Sequence, residues 1–264
     1  MMVRGRLRVA AWAILLAVGS GFTATCATYQ LFSDCVAPSP QCPAQGAADQ
    51  EAVLFLVGDA GSKEFDRNPV MQHMNAAVRT LDQQGVPTTV LFLGDNVYEE
   101  GVRDGHPEDL RLLGAQVEVV AGTSAKGIFL AGNHDWGNTT KASGLERLVN
   151  QERALGVFRA EGADVVLAPR AGCPGPKQEN LKNSSGDVLA TLVLLDTSWW
   201  MREPPTDSLC GATTREDVIR GLEGVLRNAP DVPLGSWLPT ILFGRGGLTG
   251  DMRGLSDGLR IGRD

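Results

Sequence analysis

Histidine is scarce in this chain of 264 residues, which contains only His73, His106 and His134. Because imidazole is the commonest metal ligand, any metal site that uses histidines must be built within this number. Basic residues are also outnumbered, with 24 Lys and Arg against 31 Asp and Glu and a formal net charge of −7. Such a chain has no general attraction for nucleic acid or anionic lipid. Hydrophobic residues still make up 43% of the chain, which excludes a disordered or collagen-like protein.

The first 25 residues have the pattern of an export signal. Three arginines and no acidic residue precede the apolar run 9–19, and small and polar residues follow it. This order is typical of a secretory signal, and the run is shorter than the ~20 apolar residues of a spanning helix. We therefore expect residues 1–25 to be a signal peptide or a membrane anchor. The protein would then be periplasmic, extracellular or anchored to the envelope, and it would contact the membrane only through this segment or a lipid.

Five cysteines suit an exported protein, because disulfides persist in oxidising compartments. Cys26 follows a sequence that loosely resembles a bacterial lipobox, so lipidation of Cys26 is one hypothesis beside simple cleavage and an uncleaved anchor. The other four cysteines can form two disulfides, in one of three connectivities. The local pairing is Cys35–Cys42 and Cys173–Cys210. Free buried thiols are the alternative.

The rest of the chain divides into three segments. Residues 26–50 are rich in Pro, Ala and Gln, which predicts a tether. Residues 51–243 alternate between apolar runs and segments of helical periodicity, which predicts an α/β domain with its site at the carboxyl ends of the strands. The predicted strands are 52–57, 89–93, 127–131, 188–195 and 239–244. The predicted helices are 70–81, 108–120, 145–158 and 216–226. The polar segment 172–185 is predicted to be a loop that borders the site.

Three of the apolar runs end in a polar turn that contains glycine. Asp59, Asp95 and Asn133 each come first or second among the polar residues after such a run. Each turn alone is typical of an ordinary turn, but adjacent strands lie ~4.8 Å apart, so equivalent positions can converge. With the phenol of Tyr98, these side chains form an oxygen-rich set that suits hard cations. His134 is then placed to act on whatever the metal ions bind.

The turns Gly-Asp-Ala-Gly at 58–61, Gly-Asp-Asn-Val-Tyr at 94–98 and Gly-Asn-His-Asp at 132–135 resemble, in this order, the motifs of the metallophosphoesterase superfamily. The tyrosine three residues after the second aspartate is similar to the purple, tartrate-resistant, acid phosphatase branch. Leu-Leu-Asp-Thr at 194–197 resembles a further strand of that branch. The resemblance covers roughly residues 51–200. It implies a four-layer α/β/β/α sandwich and a phosphomonoesterase that activates water with two metal ions.

The resemblance also implies a role for each motif residue. Asp59 and Tyr98 would hold the first metal ion, Asp95 would bridge the two ions and Asn133 would bind the second. His134 would stabilise the phosphate or protonate the leaving alkoxide. The implied metals are iron paired with iron, zinc or manganese, and the implied partner is a phosphoester substrate. The physiological phosphoester and the oligomeric state stay open.

The chain departs from the family pattern beyond residue 200. The resemblance implies further histidines after the predicted strand 239–244, whereas no histidine follows His134. Residues 244–264 instead contain seven Gly, four Arg and three Asp, an atypical tail of low complexity. We therefore expect the domain 51–243 to be incomplete at its C-terminus. A frameshift or truncation near residues 232–245 is one explanation, and genuine divergence is the other.

Two classes of function stay open. The first is the acid phosphatase type of phosphoester hydrolase, and the second is a catalytically inactive, envelope-associated binding or scaffold protein derived from a metallophosphoesterase. A phosphodiesterase is the second choice among enzymes, because many of these place a histidine in the first motif, which here reads Gly-Asp-Ala-Gly. Missing ligands would weaken one metal site. Missing strands would expose a sheet edge and lower solubility.

Overall fold

A computed structural model describes residues 50–62, 69–138, 144–202, 210–227 and 240–243. These ranges belong to the compact unit that begins at Gln50. The predicted signal 1–25, the tether up to residue 49, the tail 244–264 and the cysteines Cys26, Cys35 and Cys42 lie outside the described residues. The elements in chain order are β1 (Val53–Val57), α1 (Pro69–Gln83), β2 (Thr88–Phe92), α2 (Pro107–Val117), β3 (Lys126–Phe129), α3 (Gly144–Ala160), β4 (Val165–Leu167), β5 (Lys177–Lys182), β6 (Val188–Leu194), a 3-10 turn (Trp199–Met201), α4 (Arg215–Arg227) and β7 (Thr240–Phe243).

The first sheet consists of four parallel strands in the order β1-β2-β3-β4. Leu56 pairs with Leu91, and Leu91 pairs with Ile128 on the next strand. One helix lies in each crossover, as parallel neighbours require. The α/β class predicted from the sequence is therefore confirmed. All four strands point the same way, so the turns after β1, β2 and β3 lie together at the carboxyl ends of the strands.

The second sheet has the order β5-β6-β7, with β5 antiparallel and β7 parallel to β6. The prediction of a loop over residues 172–185 is wrong for Lys177–Lys182, which forms β5. Five of its six residues are polar, and Leu181 is its one apolar side chain, so the strand carries almost no apolar signal. Backbone pairing with β6 along a sheet edge stabilises it instead. The three-residue strand β4 was also not predicted, because it is too short to show a pattern.

Three clusters of buried side chains organise the interior. One lies between the sheets and joins Leu91, Ile128 and Leu130 to Leu192 and Leu194. A second packs the other face of the first sheet against helices α1, α2 and α3. A third packs β6 against α4 and the turns around Trp136 and Trp199. Strands β2, β3 and β6 are therefore covered on both faces by apolar contacts, as continuous apolar strands require.

The helices agree with the periodic segments to within a few residues. Helix α1 begins at Pro69 and buries Met71, Met74 and Val78. Helix α2 ends at Val117, three residues before the predicted end, and turns follow it. In the part of the chain that the structure describes, no helix is both long and apolar enough to cross a membrane.

A disulfide joins Cys173 to Cys210, with their Cα atoms 5.3 Å apart. It ties the segment after β4 to the segment before α4. This bond is the second half of the local pairing predicted from the sequence. Because the closed loop is 37 residues long, the bond restricts the unfolded chain substantially.

Candidate metal centre

Two aspartates adopt the same rare backbone conformation at the ends of adjacent strands. Asp59 follows β1 and Asp95 follows β2, and each has a φ of 56°. Few residues other than glycine adopt this left-handed region, and such strain is concentrated at functional sites. The turns are tied together, because the peptide N–H of Gly61 donates to the carbonyl of Asp95 at 2.9 Å. The N–H of Tyr98 donates in turn to the carbonyl of Gly61 at 3.1 Å.

The phenol of Tyr98 lies between the two carboxylates. Its hydroxyl donates a hydrogen bond to Oδ1 of Asp59 at 2.6 Å and lies 3.2 Å from Oδ2 of Asp95. Burial raises the pKa of Tyr98 above its usual value, and the neighbouring carboxylates of Asp59 and Asp95 raise it further. The phenol therefore keeps its proton unless another positive charge takes the place of that proton. Three oxygen atoms from two turns meet at this point.

The turn after β3 brings His134 to the same place. Its peptide N–H donates to Oδ1 of Asp95 at 3.2 Å. The centre of its imidazole ring lies 4.3 Å from the centre of the Tyr98 ring. Nδ1 of His134 lies 2.7 Å from the carbonyl oxygen of Glu99. Because a carbonyl oxygen only accepts, Nδ1 carries the hydrogen of this bond. Nε2 is then the ring nitrogen that stays available for a substrate.

Asn133 adjoins this group through the chain, one residue before His134. Its side-chain nitrogen donates to Oδ1 of Asn138 at 3.4 Å, which leaves the amide oxygen outside that bond. The structure thus joins Asp59, Asp95, Tyr98 and His134 by direct contacts. Asn133 lies in the same turn as His134, without a direct contact to the others among those that the structure describes.

The glycines matter for close approach as well as for turning. A Cβ atom on Gly132 would collide with the side chain of Asp95. On Gly94, whose φ is 98°, it would lie 2.8 Å from the peptide nitrogen of Gly132. The turns after β2 and β3 are therefore in backbone contact, which only residues without a Cβ allow.

A buried carboxylate that the sequence did not single out lies beneath the two turns. Asp135 is fully buried and accepts hydrogen bonds from the peptide N–H of Gly132 at 2.7 Å and of Asn96 at 3.0 Å. Burial raises the pKa of Asp135 to about 7, and the nearby charge of Asp95 acts in the same direction. Asp135 lies inside the Gly-Asn-His-Asp motif, and this position was the only sequence signal for it.

Asp196 connects the candidate centre to the second sheet. It lies in the Leu-Leu-Asp-Thr segment after β6 and is buried. It accepts hydrogen bonds from Nε1 of Trp136 at 2.8 Å and from the peptide N–H of Trp199 at 2.9 Å. Burial raises the pKa of Asp196 to about 6, against the opposing effect of these bonds and of the Arg202 charge. The guanidinium of Arg202 lies 4.8 Å from the centre of the Trp136 ring.

The donor atoms of this centre fit a hard cation. Asp59, Asp95 and Tyr98 present carboxylate and phenol oxygens, and Asn133 can add an amide oxygen, a set that suits divalent and trivalent ions. Among the described residues, no group of three or more His, Cys, Asp or Glu side chains could hold an ion. A metal ion here would therefore require the phenol and the amide beside the two carboxylates.

The net charge of the centre favours cations over anions. Asp59 and Asp95 are accompanied by Glu99 and Glu100, which are exposed in the turn that follows Tyr98. A phosphate would be repelled by these groups unless metal ions offset their charge.

Neither a protein-family model nor a curated protein matches the chain.

Proposed function

We propose that the chain is a metal-dependent phosphoester hydrolase, of the phosphomonoesterase type found in acid phosphatases. The observation that carries the proposal is the contact of the Tyr98 hydroxyl with the carboxylates of Asp59 and Asp95. These residues come from motifs that resemble the metallophosphoesterase superfamily. Their meeting at the carboxyl ends of adjacent parallel strands is the arrangement that the resemblance implies.

The proposed cofactor is a pair of metal ions, iron with iron, zinc or manganese. Asp59 and Tyr98 would hold the first ion, Asp95 would bind both and Asn133 would bind the second. Such a pair offsets phosphate charge and lowers the pKa of a bound water. The bound cations would also supply the attraction for a phosphoester that the acidic chain lacks.

His134 is the proposed catalytic residue. The carbonyl of Glu99 holds Nδ1, and the ring of Tyr98 packs against the imidazole, so the direction of Nε2 is set. In the imidazolium form, Nε2–H donates to a phosphate oxygen or gives its proton to the leaving alkoxide. The peptide N–H of His134 meanwhile binds Oδ1 of Asp95, which couples the histidine to the proposed metal ligand.

The finer fold that we propose is the four-layer α/β/β/α sandwich. Its support is the shared cluster between the two sheets together with the separate clusters on their other faces. Helices α1, α2 and α3 would form one outer layer, and α4 would form the other. An exported or envelope-anchored location is proposed on the pattern of residues 1–25.

The alternative is a catalytically inactive binding or scaffold protein of the envelope. The observation in its favour is the absence of histidine after His134, since the resemblance implies further imidazole ligands there. With fewer ligands, one of the two ions would bind weakly. A protein of this kind would keep the sheets and lose turnover.

Metal content and turnover of p-nitrophenyl phosphate separate these functions. For the enzyme we expect bound iron, zinc or manganese and hydrolysis that falls by at least a hundredfold in Asp95→Asn. Asp164→Asn is the matched control, because Asp164 is exposed and immediately precedes β4, at the opposite edge of the first sheet. Metal without turnover would favour the inactive protein. Neither metal nor turnover above the Asp95→Asn level would overturn the hydrolase proposal.

A further inference from the structure

The buried carboxylate of Asp135 touches both turns that carry the proposed second-ion site. On one side, Oδ2 accepts the peptide N–H of Gly132 at 2.7 Å, directly before Asn133. On the other side, the peptide N–H of Asn96, directly after Asp95, donates to Oδ1 at 3.0 Å and lies 3.2 Å from Oδ2. The side-chain nitrogen of Asn96 also lies 3.2 Å from Oδ2. One side chain therefore spans the gap between two loops that are 39 residues apart in sequence.

The partners of Asp135 are themselves held by buried groups. The side-chain nitrogen of Asn96 donates to the carbonyl of Leu130 at 2.6 Å, next to the end of β3. The carbonyl of Asn96 accepts a hydrogen bond from Nε2 of Gln116 on α2, also at 2.6 Å. Asn96, Gln116 and Asp135 are each fully buried. This chain of hydrogen bonds joins a helix, the turn after β2 and the turn after β3.

The carboxyl group of an aspartate suits this position better than the amide group of an asparagine. Both oxygens of Asp135 face N–H donors, so the amide group of an asparagine would oppose a donor in either orientation. Loss of one acceptor leaves the N–H of Gly132 without its partner, or the N–H of Asn96 with only its longer contact. A buried donor that loses its partner costs more than an exposed hydrogen bond is worth. The two turns would then be held together by fewer hydrogen bonds, such as that from the peptide N–H of His134 to Asp95.

We infer that Asp135 is a positioning residue that sets the distance between Asp95 and the Asn133–His134 turn. Groups that orient metal ligands from behind change metal affinity by about 10- to 100-fold when they are removed. This inference rests on the proposed metal centre for its function, but the clamp itself is a property of the apoprotein. Its two consequences can therefore be measured separately.

Amide hydrogen exchange of the full chain without metal tests the clamp. In Asp135→Asn we expect the N–H of Gly132 or of Asn96 to exchange at least tenfold faster than in the wild type, and in Asp135→Ala we expect both to do so. Amides in the centres of β2 and β3 should keep their rates. Asp109→Asn is the matched control, because Asp109 is equally buried but bonds to Arg103. Unchanged exchange at both positions, or a uniform increase throughout the chain, would overturn the clamp.

A double-mutant cycle on Mn²⁺ affinity tests the consequence for the metal. We expect Asp135→Asn to weaken Mn²⁺ binding by 10- to 100-fold in the wild type, and by less than twofold when Asp95 is already replaced by Asn. Equal losses in both backgrounds would overturn the positioning role. If the wild type binds iron or zinc but not Mn²⁺, the cycle is measured with the ion that binds. If it binds none of the three, the proposed function fails, and the exchange rates alone decide whether Asp135 holds the two turns together.

Discussion

The hydroxyl of Tyr98 lies 2.6 Å from a carboxylate oxygen of Asp59, although 39 residues separate them in the chain. The contact exists because β1 and β2 pair in parallel and the turns after them are tied by backbone hydrogen bonds. A phenol placed between two carboxylates is poised to exchange its proton for a cation. Three substitutions test what this arrangement does, and a fourth tests the buried carboxylate of Asp196.

Tyr98→Phe should weaken metal binding and leave the fold intact. The substitution removes one oxygen ligand but keeps the ring that packs against His134. We expect at least a tenfold loss of Fe³⁺ or Mn²⁺ affinity, and a change of about 1 kcal/mol or less in the free energy of unfolding, since the lost hydrogen bond is partly exposed. In ferric protein, the visible absorption of the phenolate–iron bond should disappear. Isothermal titration and absorption spectra measure these effects, and unchanged affinity would remove Tyr98 from the ligand set.

His134→Asn should lower turnover without loss of metal. The imidazole is proposed to act on the phosphate, and a general acid contributes roughly 10²–10⁴-fold to rate. We expect kcat for p-nitrophenyl phosphate to fall by at least a hundredfold, with the metal content unchanged by elemental analysis. His73→Asn is the control, because His73 is exposed on α1. Loss of metal in parallel with kcat would instead make His134 a ligand.

Gly132→Ala should disturb the centre more than its size suggests. The added Cβ would collide with the carboxylate of Asp95, which must then move or leave its φ of 56°. We expect a loss of about 1–3 kcal/mol in the free energy of unfolding, as for other overpacked sites, together with weaker metal binding. Gly156→Ala on α3 has open space around it and should stabilise the protein by about 0.5–1 kcal/mol. Denaturant unfolding of both variants gives the comparison, and equal responses would contradict the close approach.

Asp196→Asn should change how stability depends on pH. The pKa of Asp196 is raised to about 6 in the folded state, so protonation favours folding. This contribution is complete at pH values below the unfolded pKa of about 4 and is lost as the pH rises through about 6. Relative to the wild type, the variant should therefore gain about 3 kcal/mol between pH 4 and pH 7, on top of a constant loss from its poorer hydrogen bonds. Urea unfolding without metal measures this difference, and a flat difference would contradict the raised pKa.

Most helices and strands of this fold could be predicted from local sequence patterns. The strands that were not predicted lack such a pattern. Strands β2 and β3 are continuous apolar runs because both of their faces are covered, whereas Leu56 of the apolar strand β1 is exposed. Helix α1 shows its buried stripe at helical spacing. The edge strand β5 could not be predicted, because Lys177–Lys182 pairs with β6 through its backbone and offers only Leu181 to the cluster between the sheets. Its residue pattern is typical of an ordinary polar loop.

The side chains that form the candidate centre could be predicted from the sequence, but the buried carboxylate beneath them could not. Asp59, Asp95 and Tyr98 stood out because polar residues follow apolar runs, and they do meet. Asp135 accepts a hydrogen bond from the peptide N–H of Asn96, 39 residues away, and no side-chain pattern indicates such a partner. The disulfide between Cys173 and Cys210 followed from chain proximity, since only two cysteines lie in that half of the chain.

Strand β5 also affects how copies of this chain meet one another. An unprotected sheet edge invites a second chain to add its own strand, which leads to aggregation. Here the outer strand of the second sheet carries Lys177, Glu179 and Lys182, and Glu179 is bound to Lys126 at 2.6 Å. Charged side chains on an edge strand are one of the features that disfavour such pairing. The polarity that leaves β5 without an apolar sequence pattern is thus of the kind that protects a sheet edge.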